Sequence, residues 1–463
     1  MKKKIHLSMI NLWCNKNLVD SQLFLWKLLS ENEKDIEYYS DPSDKHVELV
    51  ILNTCSFISS GREEMFQTIE DLLSQKKKIC IIWCWVQYFE KLLKNTELLS
   101  RSKLDNESTL QLKTELEKWN KLLKNENISY ISWNDLSSAT LSTLINRSQN
   151  FDDFCRYSTP RLLTNYENRY EYLKIAEWCN NSCAFCIIPQ IRWKLISLPI
   201  KTVINDAENL LKQWIEELII VAQDTMRYWT DFSSKSQLLP LLHELDKLPY
   251  DFKYRILYLY PDILTLKQLE EFSKLEKFIP YFDIPLQHIS PKLLKSMWRF
   301  YDDKMIHSLL KWIRKIFPDS FIRTNIIVWF PWETDEDFKL LTDFLSEDYF
   351  DNIALFEYHD EPLAPSFKFK NKLEDSTIHN RFKIINKQVN NLLFKREKNR
   401  KNKKRIWYVE EIKQVNKGII LTVRPEIHCP EIDSVDKVQL KNIIQCFDGD
   451  VVNVWSKVEY ILN

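Results

Sequence analysis

The sequence predicts an α/β protein in three successive parts: an N-terminal parallel α/β unit, a partial (β/α)6 barrel and a small C-terminal β-barrel. Three observations predict it. In residues 1–150, three apolar strands alternate with helices, and each strand runs out just before a cysteine. From Tyr172, six further apolar stretches alternate with helical patterns. After a long basic helix, Lys404–Asn463 breaks into short strands separated by turns. The expected boundaries are 1–150, 165–395 and 400–463. The 463 residues carry a net charge of +0, so no overall field recruits a polyanion.

In the first part the strands are IHLSMIN (5–11), VELVILN (47–53) and ICIIW (79–83), leading to Cys14, Cys55 and Cys84. Helical stretches follow at Asn17–Ser30, Arg62–Ser74 and Tyr88–Lys94. Parallel α/β sheets bind ligands beyond the carboxyl ends of their strands. Three cysteines delivered there make a candidate three-thiol site; the plainer alternative is three core cysteines. Residues 95–128 read as an amphipathic surface helix with no chemistry assigned. The start, MKKKIHLSMINLWC, imitates a secretion leader, but His6 and Asn11 interrupt its apolar part. It reads as a strand. No apolar run approaches the ~20 residues of a membrane span, so a cytoplasmic protein without membrane association is expected.

In the second part the strands are YLKIA (172–176), ELIIVA (217–222), RILYL (255–259), YFDIP (281–285), IRTNIIV (322–328) and NIALFEY (352–358). The loop after the first carries Cys179, Cys183 and Cys186, spaced C-x3-C-x2-C. Thiolates hold iron–sulfur clusters. Three of them on a four-iron cluster leave one iron open, as a catalytic zinc site keeps an open position. Zinc loops more often show paired C-x2-C knuckles. Gln223 and Asp224, and Gln287 and His288, follow the second and fourth strands, on the face where β/α barrels carry their chemistry. Their plainer reading is turn hydrogen bonding.

In the third part a long helix, Ile378–Arg400, overlaps the basic run KREKNRKNKKR (395–405). Such a run is a solvated face or an RNA contact. The ten cysteines follow no small-scaffold pattern, which points to a reducing compartment and metal chemistry. Composition is abnormal in one respect: three glycines, where roughly 7% usage would give about thirty, against sixteen tryptophans.

The segments LWCNKNLVDS (12–21), NTCSFI (53–58), 83–87, EWCNNSCAFCIIPQIRWKLISLP (177–199), AQDTMRYW (222–229), DIPLQH (283–288) and IVWFPWET (327–334) together resemble the radical-SAM methylthiotransferases. The resemblance implies a cluster-binding N-terminal domain, a radical S-adenosylmethionine (SAM) barrel and a C-terminal TRAM barrel. NKNLVDS, AQDTMRY, IPQIRWK and RPEIHCPEIDS are most similar to the branch that methylthiolates the β-carbon of an aspartate in small-subunit ribosomal protein twelve. By that resemblance two 4Fe–4S clusters are implied. Cys179, Cys183 and Cys186 would hold the catalytic one, where SAM is cleaved to a radical. Cys14, Cys55 and Cys84 would hold the second, which carries the sulfur. Gln223, Asp224, Trp329, Trp332 and Glu333 would contact SAM. The resemblance also implies an electron donor such as a flavodoxin or ferredoxin, contact with rRNA or tRNA, and action as a monomer. Cys80, Cys155, Cys429 and Cys446 match no ligand position and read as packing residues. The alternatives are a tRNA methylthiotransferase of the MiaB-like branch, motivated by the basic run and the TRAM-like barrel, and a non-catalytic iron–sulfur carrier.

Trp13, Trp26, Trp83, Trp178, Trp193, Trp214, Trp229, Trp329 and Trp332 stand where that family has glycine. Either the enzyme has decayed, or UGA codons that some bacterial lineages read as glycine have been translated as tryptophan. Intact cysteines at all six ligand positions argue against decay. The indoles are then expected to splay into solvent or crowd the SAM pocket instead of packing as core anchors.

Overall fold

The computed structural model describes residues 4–12, 15–57, 59–94, 107–131, 160–164, 168–191, 194–372, 375–401, 405–415, 418–440 and 457–460. Its first layer is a five-stranded, all-parallel sheet. The chain runs β1 (Ile5–Asn11), α1 (Asn15–Glu31), β2 (Ile36–Tyr38), β3 (Leu49–Thr54), α2 (Ser59–Ser74), β4 (Lys78–Trp83), α3 (Cys84–Lys94), α4 (Glu107–Leu122) and β5 (Ile128–Ile131). Every residue of β3 is buried, as expected for a central parallel strand covered on both faces. The strand order β2-β1-β3-β4-β5 reverses direction between β1 and β3. Such a reversal opens a crevice at the strands' carboxyl ends. The predicted surface helix is α4, and it is anchored: Leu112, Leu116 and Trp119 are buried, and Glu115 pairs with buried Arg62 at 3.0 Å.

The second layer is a six-stranded parallel sheet in the order β13-β12-β11-β10-β9-β6. Its strands are β6 (Tyr170–Lys174), β9 (Glu217–Val221), β10 (Lys253–Ile256), β11 (Phe278–Gln287), β12 (Phe321–Val328) and β13 (Asn352–Glu357). A two-stranded ribbon, β7 (Ala176–Glu177) with β8 (Ile196–Ser197), follows β6. Between strands lie α5 (Ile188–Ile191), α6 (Ile200–Leu211), α7 (Leu238–Asp246), α8 (Leu266–Phe272), α9 (Pro291–Ser296), α10 (Asp303–Ile316) and α11 (Asp335–Leu345). In α10, Asp302 caps the Met305 N–H, and Ile306, Leu309, Leu310 and Ile313 form the buried stripe. Each such residue contributes about 1.5–3 kcal/mol by leaving water. The helices cover one face of the sheet. The other face, with Tyr172, Ile219, Leu257 and Tyr281, is covered by Val19 of α1 and by Ile427, Cys429 and Ile432. The open barrel is therefore filled from outside by the first layer and by the chain's C-terminal part.

The helix α12 (Asp375–Lys401) leads to β14 (Arg405–Val415), β15 (Gly418–Pro425), β16 (Asp436–Leu440) and β17 (Lys457–Tyr460). Among the described residues these form an antiparallel sheet in the order β16-β15-β14-β17. Arg424 and Arg255 both grip buried Glu217, at 3.0 and 2.6 Å, and Arg255 also donates to the Glu426 and Ile427 carbonyls. Within the basic run, Arg396 is not free for RNA: it pairs with Asp351 at 2.8 Å. Cys80 and Cys429 are fully buried packing residues, as expected; Cys155 and Cys446 lie outside the described residues. No described helix is long and apolar enough to cross a membrane.

Candidate active site

The loop carrying Cys179, Cys183 and Cys186 is held at its base by the β7–β8 ribbon. Within it the Cys186 N–H donates to the Cys183 carbonyl at 3.1 Å, and the Asn181 N–H donates to Cys179 Sγ at 3.3 Å. From outside, the Ala184 N–H reaches the Met297 carbonyl at 3.0 Å, and Asn180 Oδ1 accepts from the Leu195 N–H at 2.9 Å. Cys183 is buried; Cys179 and Cys186 are half-buried. Burial pushes the Cys179 thiol up to about 12, and Asp224 adds to the rise. Burial likewise raises Cys186. Metal binding takes the thiolate form, so a bound metal would displace these protons.

Of the residues expected after the second strand, Asp224 reaches the loop. Its Oδ2 accepts from the Asn181 side-chain amide at 2.7 Å and sits 3.2 Å from Arg227 Nε. Arg227 also donates to Asn181 Oδ1 at 2.9 Å and pairs with Asp262. Burial pushes Asp224 up to about 6 against the pull of Asn181 and Arg227. Gln223 Oε1 is buried with no partner among the described residues. Asn181, Arg227 and Asp262 carry no signal of their own in the sequence, although Arg227 lies within AQDTMRY.

The turn after β12 holds Trp329, Trp332 and Glu333. Glu333 Oε2 accepts the Trp329 backbone N–H at 2.6 Å and lies 3.7 Å from His288 Nε2. Glu333 Oε1 and His288 Nε2 lack hydrogen-bond partners among the described residues. Gln287 turns the chain there with φ of 70°. The expectation for Trp329 fails. Its indole is 1% exposed and packs in the core against Phe338 and Phe382, because α11 and α12 close over the end of β12. Trp332 is half-buried on Phe369, ring centroids 4.7 Å apart. Trp214 does splay outward, 76% exposed.

Cys55 and Cys84 directly follow the paired ends of β3 and β4, where Thr54 stands beside Trp83. Asn17 of α1 ties them together: its amide donates to the Thr54 carbonyl at 3.1 Å and to Cys84 Sγ at 3.9 Å. The end of β1 joins through the Leu12 N–H on the Asn53 carbonyl, 3.0 Å. Cys14, two residues on, lies outside the described residues. Among the described residues, no three His, Cys, Asp or Glu side chains converge closely enough to hold a single metal ion.

The two regions touch. Helix α3, which begins at Cys84, packs on α5, which begins two residues after Cys186. A cavity of about 770 Å³ opens between them, lined by Gln87, Glu90 and Lys91 on one side and Cys179, Asn181 and Gln190 on the other. On the flank, buried Lys174 of β6 contacts both Asp20 of α1 and Glu177.

Comparison with known proteins follows this layout. The profile of the Radical SAM superfamily matches residues 173–345, and that of Uncharacterized protein family UPF0004 matches residues 6–101. The ribosomal protein uS12 methylthiotransferase RimO of Chlamydia pneumoniae is 32% identical over 93% of this chain and 86% of its own. This chain belongs to the RimO family. The RimO proteins of Nitratiruptor sp. (30% identity, 96% of each chain) and Carboxydothermus hydrogenoformans (31% identity, 96% of this chain and 95% of its own) match equally fully. Among solved structures, the radical S-adenosylmethionine methyltransferase TsrM from Kitasatospora setae, determined with cobalamin and a 4Fe-4S cluster bound, gives a TM-score of 0.50. That match covers 77% of this chain and 75% of TsrM at 12% identity, so it speaks to the fold alone.

Proposed function

We propose that this RimO-family chain is the radical-SAM enzyme that adds a methylthio group to the β-carbon of an aspartate in ribosomal protein uS12. The observation that carries the reading is the packing of α3 on α5, which brings the helix starting at Cys84 against the cysteine loop around one cavity. Cys179, Cys183 and Cys186 hold the cluster that works with SAM. Cys14, Cys55 and Cys84 hold the second. The described donors fit: Cys179, Cys183 and Cys186 lie in one hydrogen-bonded loop, and Cys55 and Cys84 stand just beyond the paired ends of β3 and β4. When bound, a cluster with SAM supplies the hydrogen-abstracting power that an unactivated C–H bond demands and no side-chain base offers.

The chain's own residues position and enclose. Asn181, clamped between Asp224 and Arg227, fixes the cysteine loop against β9. Gln223, Asp224, Glu333 and the backbone at Trp329 and Trp332 are the proposed SAM contacts, the Trp329 indole itself being packed in the core; the polar atoms of Gln223 and Glu333 that lack partners among the described residues support their place there. Lys174, between Asp20 and Glu177, holds the two cysteine regions at a constant spacing. That spacing matters because reacting atoms must come within near contact, and small misplacements are costly. The reading includes a division at 1–150, 165–395 and 400–463, a TRAM-type barrel in the last part, a cytoplasmic location and action as a monomer. It also includes electron supply by a flavodoxin or ferredoxin and an RNA contact through 395–405. The test incubates reconstituted protein, SAM and reductant with uS12 or with tRNA. A methylthio mass increment on the uS12 aspartate is expected; an increment on tRNA alone would move the chain to the tRNA-modifying branch.

A further inference from the structure

Tryptophan supplies sixteen of 463 residues, yet six of the twelve non-glycine residues with positive φ among the described residues. They are Trp178 (62°), Trp214 (68°), Trp229 (73°), Trp298 (59°), Trp329 (67°) and Trp332 (72°). In this region Cβ collides with the backbone, and only glycine enters freely. Asparagine and aspartate are the usual exceptions; a bulky aromatic residue is not. Two sites are diagnostic. After α6, the Trp214 N–H bonds the Leu211 carbonyl and the Ile215 N–H bonds the Leu210 carbonyl. After α9, the Trp298 N–H bonds Lys295 and the Arg299 N–H bonds Leu294. Both are Schellman motifs with tryptophan at the position glycine normally fills. Trp214 is 76% exposed, so no packing gain offsets its strain; Trp298, 37% exposed, meets only the edge of the Phe369 ring, 6.5 Å between centroids.

Another set of tryptophans behaves differently. Trp85, Trp119 and Trp407 are buried and absent from the positive-φ residues. Trp85 meets Trp119 edge-on at 3.9 Å and Phe89 at 4.5 Å. We infer that positions 178, 214, 229, 298, 329 and 332 are glycine in the functional protein, encoded by UGA read as glycine, whereas Trp85, Trp119 and Trp407 are true tryptophans. Position 298 was not among those the sequence resemblance flagged; the backbone adds it. At 329 glycine vacates the space the indole fills beside Phe338 and Phe382. The test is peptide mass spectrometry of the protein from its source cells, with codons read from the same DNA. Glycine masses and UGA at the six positions, with tryptophan and UGG at 85, 119 and 407, are expected. Tryptophan masses at 178, 214 and 298 would overturn the inference.

A separate observation concerns Arg299. It is 5% exposed, and its Nε and Nη1 have no hydrogen-bond partner among the described residues. Its guanidinium lies 4.3 Å from the Tyr260 ring and 5.6 Å from the ring of Phe185, which stands between Cys183 and Cys186. Burial works against its charge, and Tyr301, Cys183 and Tyr260, in that order, favour it. Asp262, which feels that charge, is already paired with Arg227. A buried cation needs a compensating anion. We infer that Arg299 is the counter-cation of the cluster on Cys179, Cys183 and Cys186, and that it favours the reduced, more negative state. This rests on the cluster reading above. The test is a spectroscopic redox titration of reconstituted Arg299→Met and Arg299→Lys. The Met variant should be harder to reduce by about tenfold, a shift of ~59 mV for one electron, and the Lys variant should keep the wild-type potential. An unchanged Met variant, or a Lys variant shifted as far as Met, would overturn the role. Wild-type protein that gains no iron at this loop would instead overturn the cluster reading.

Discussion

Cys179, Cys183 and Cys186 lie in one loop, closed by its own hydrogen bonds and clamped by Asn181, Asp224 and Arg227. Cys14, Cys55 and Cys84 instead follow the ends of three strands in the chain, and Cys55 and Cys84 each come one residue after the paired Thr54 and Trp83 of β3 and β4. The first set is a local device, and its geometry survives whatever preserves one loop. The second is a property of a whole sheet, so anything that loosens that sheet disperses its thiols. One cavity is bordered both by Cys179 and by Gln87, Glu90 and Lys91 of α3, the helix that begins at Cys84.

The difference predicts separable losses. Cys183→Ala should abolish SAM cleavage, measured as release of 5′-deoxyadenosine. Cys55→Ala should leave that release intact and stop methylthio transfer to uS12. Equal loss of both activities in both variants would make the sites one unit. Next in size is the joint between them. Lys174→Met removes the cation that buried Asp20 and Glu177 both contact, and breaking such a buried pair costs about 3–5 kcal/mol. Denaturant unfolding should show that loss; a change under about 1 kcal/mol would mean that Lys174 does not carry the joint.

The smallest effect is at the turn beyond β12. Asp337 lies in the capping box of α11 and accepts from Lys292 and Ser290. Burial raises its carboxyl, but Lys292, Ser290 and Thr334 outweigh this and hold it at about 2, below the usual 3.8. A depressed carboxylate contributes stability above its unfolded value and loses it as pH falls through the folded one. The wild type should therefore lose this contribution between pH 3.8 and about 2. Asp337→Asn should cost about 1 kcal/mol at neutral pH and flatten the acid limb there. A variant with an unaltered acid limb would remove Asp337 as its source.

Most strands were legible because parallel strands buried on both faces are plain apolar runs. VELVILN and ICIIW ended within a residue of the structure's own strands, β3 and β4. Ile36–Tyr38 and Ile128–Ile131 escaped, since three or four residues carry no periodic signal. The cysteine loop was legible from spacing alone. Its supports were not: Asn181 and Asp262 are polar residues in turns, unremarkable until the fold joins them. Lys174 was hidden inside YLKIA, where a buried cation leaves no mark except its unlikeness to its neighbours. The burial of Trp329 is not legible in the sequence because it depends on α11 and α12, which approach from elsewhere in the chain.

The claim that two independent sites each hold a cluster is tested most directly by iron content. Wild-type protein, Cys183→Ala and Cys55→Ala are reconstituted without oxygen and assayed for iron and sulfide. The account predicts about eight irons per chain in the wild type and about four in each variant, with SAM cleavage surviving only in Cys55→Ala. Loss of all iron in either variant, or about four irons in the wild type, would contradict it.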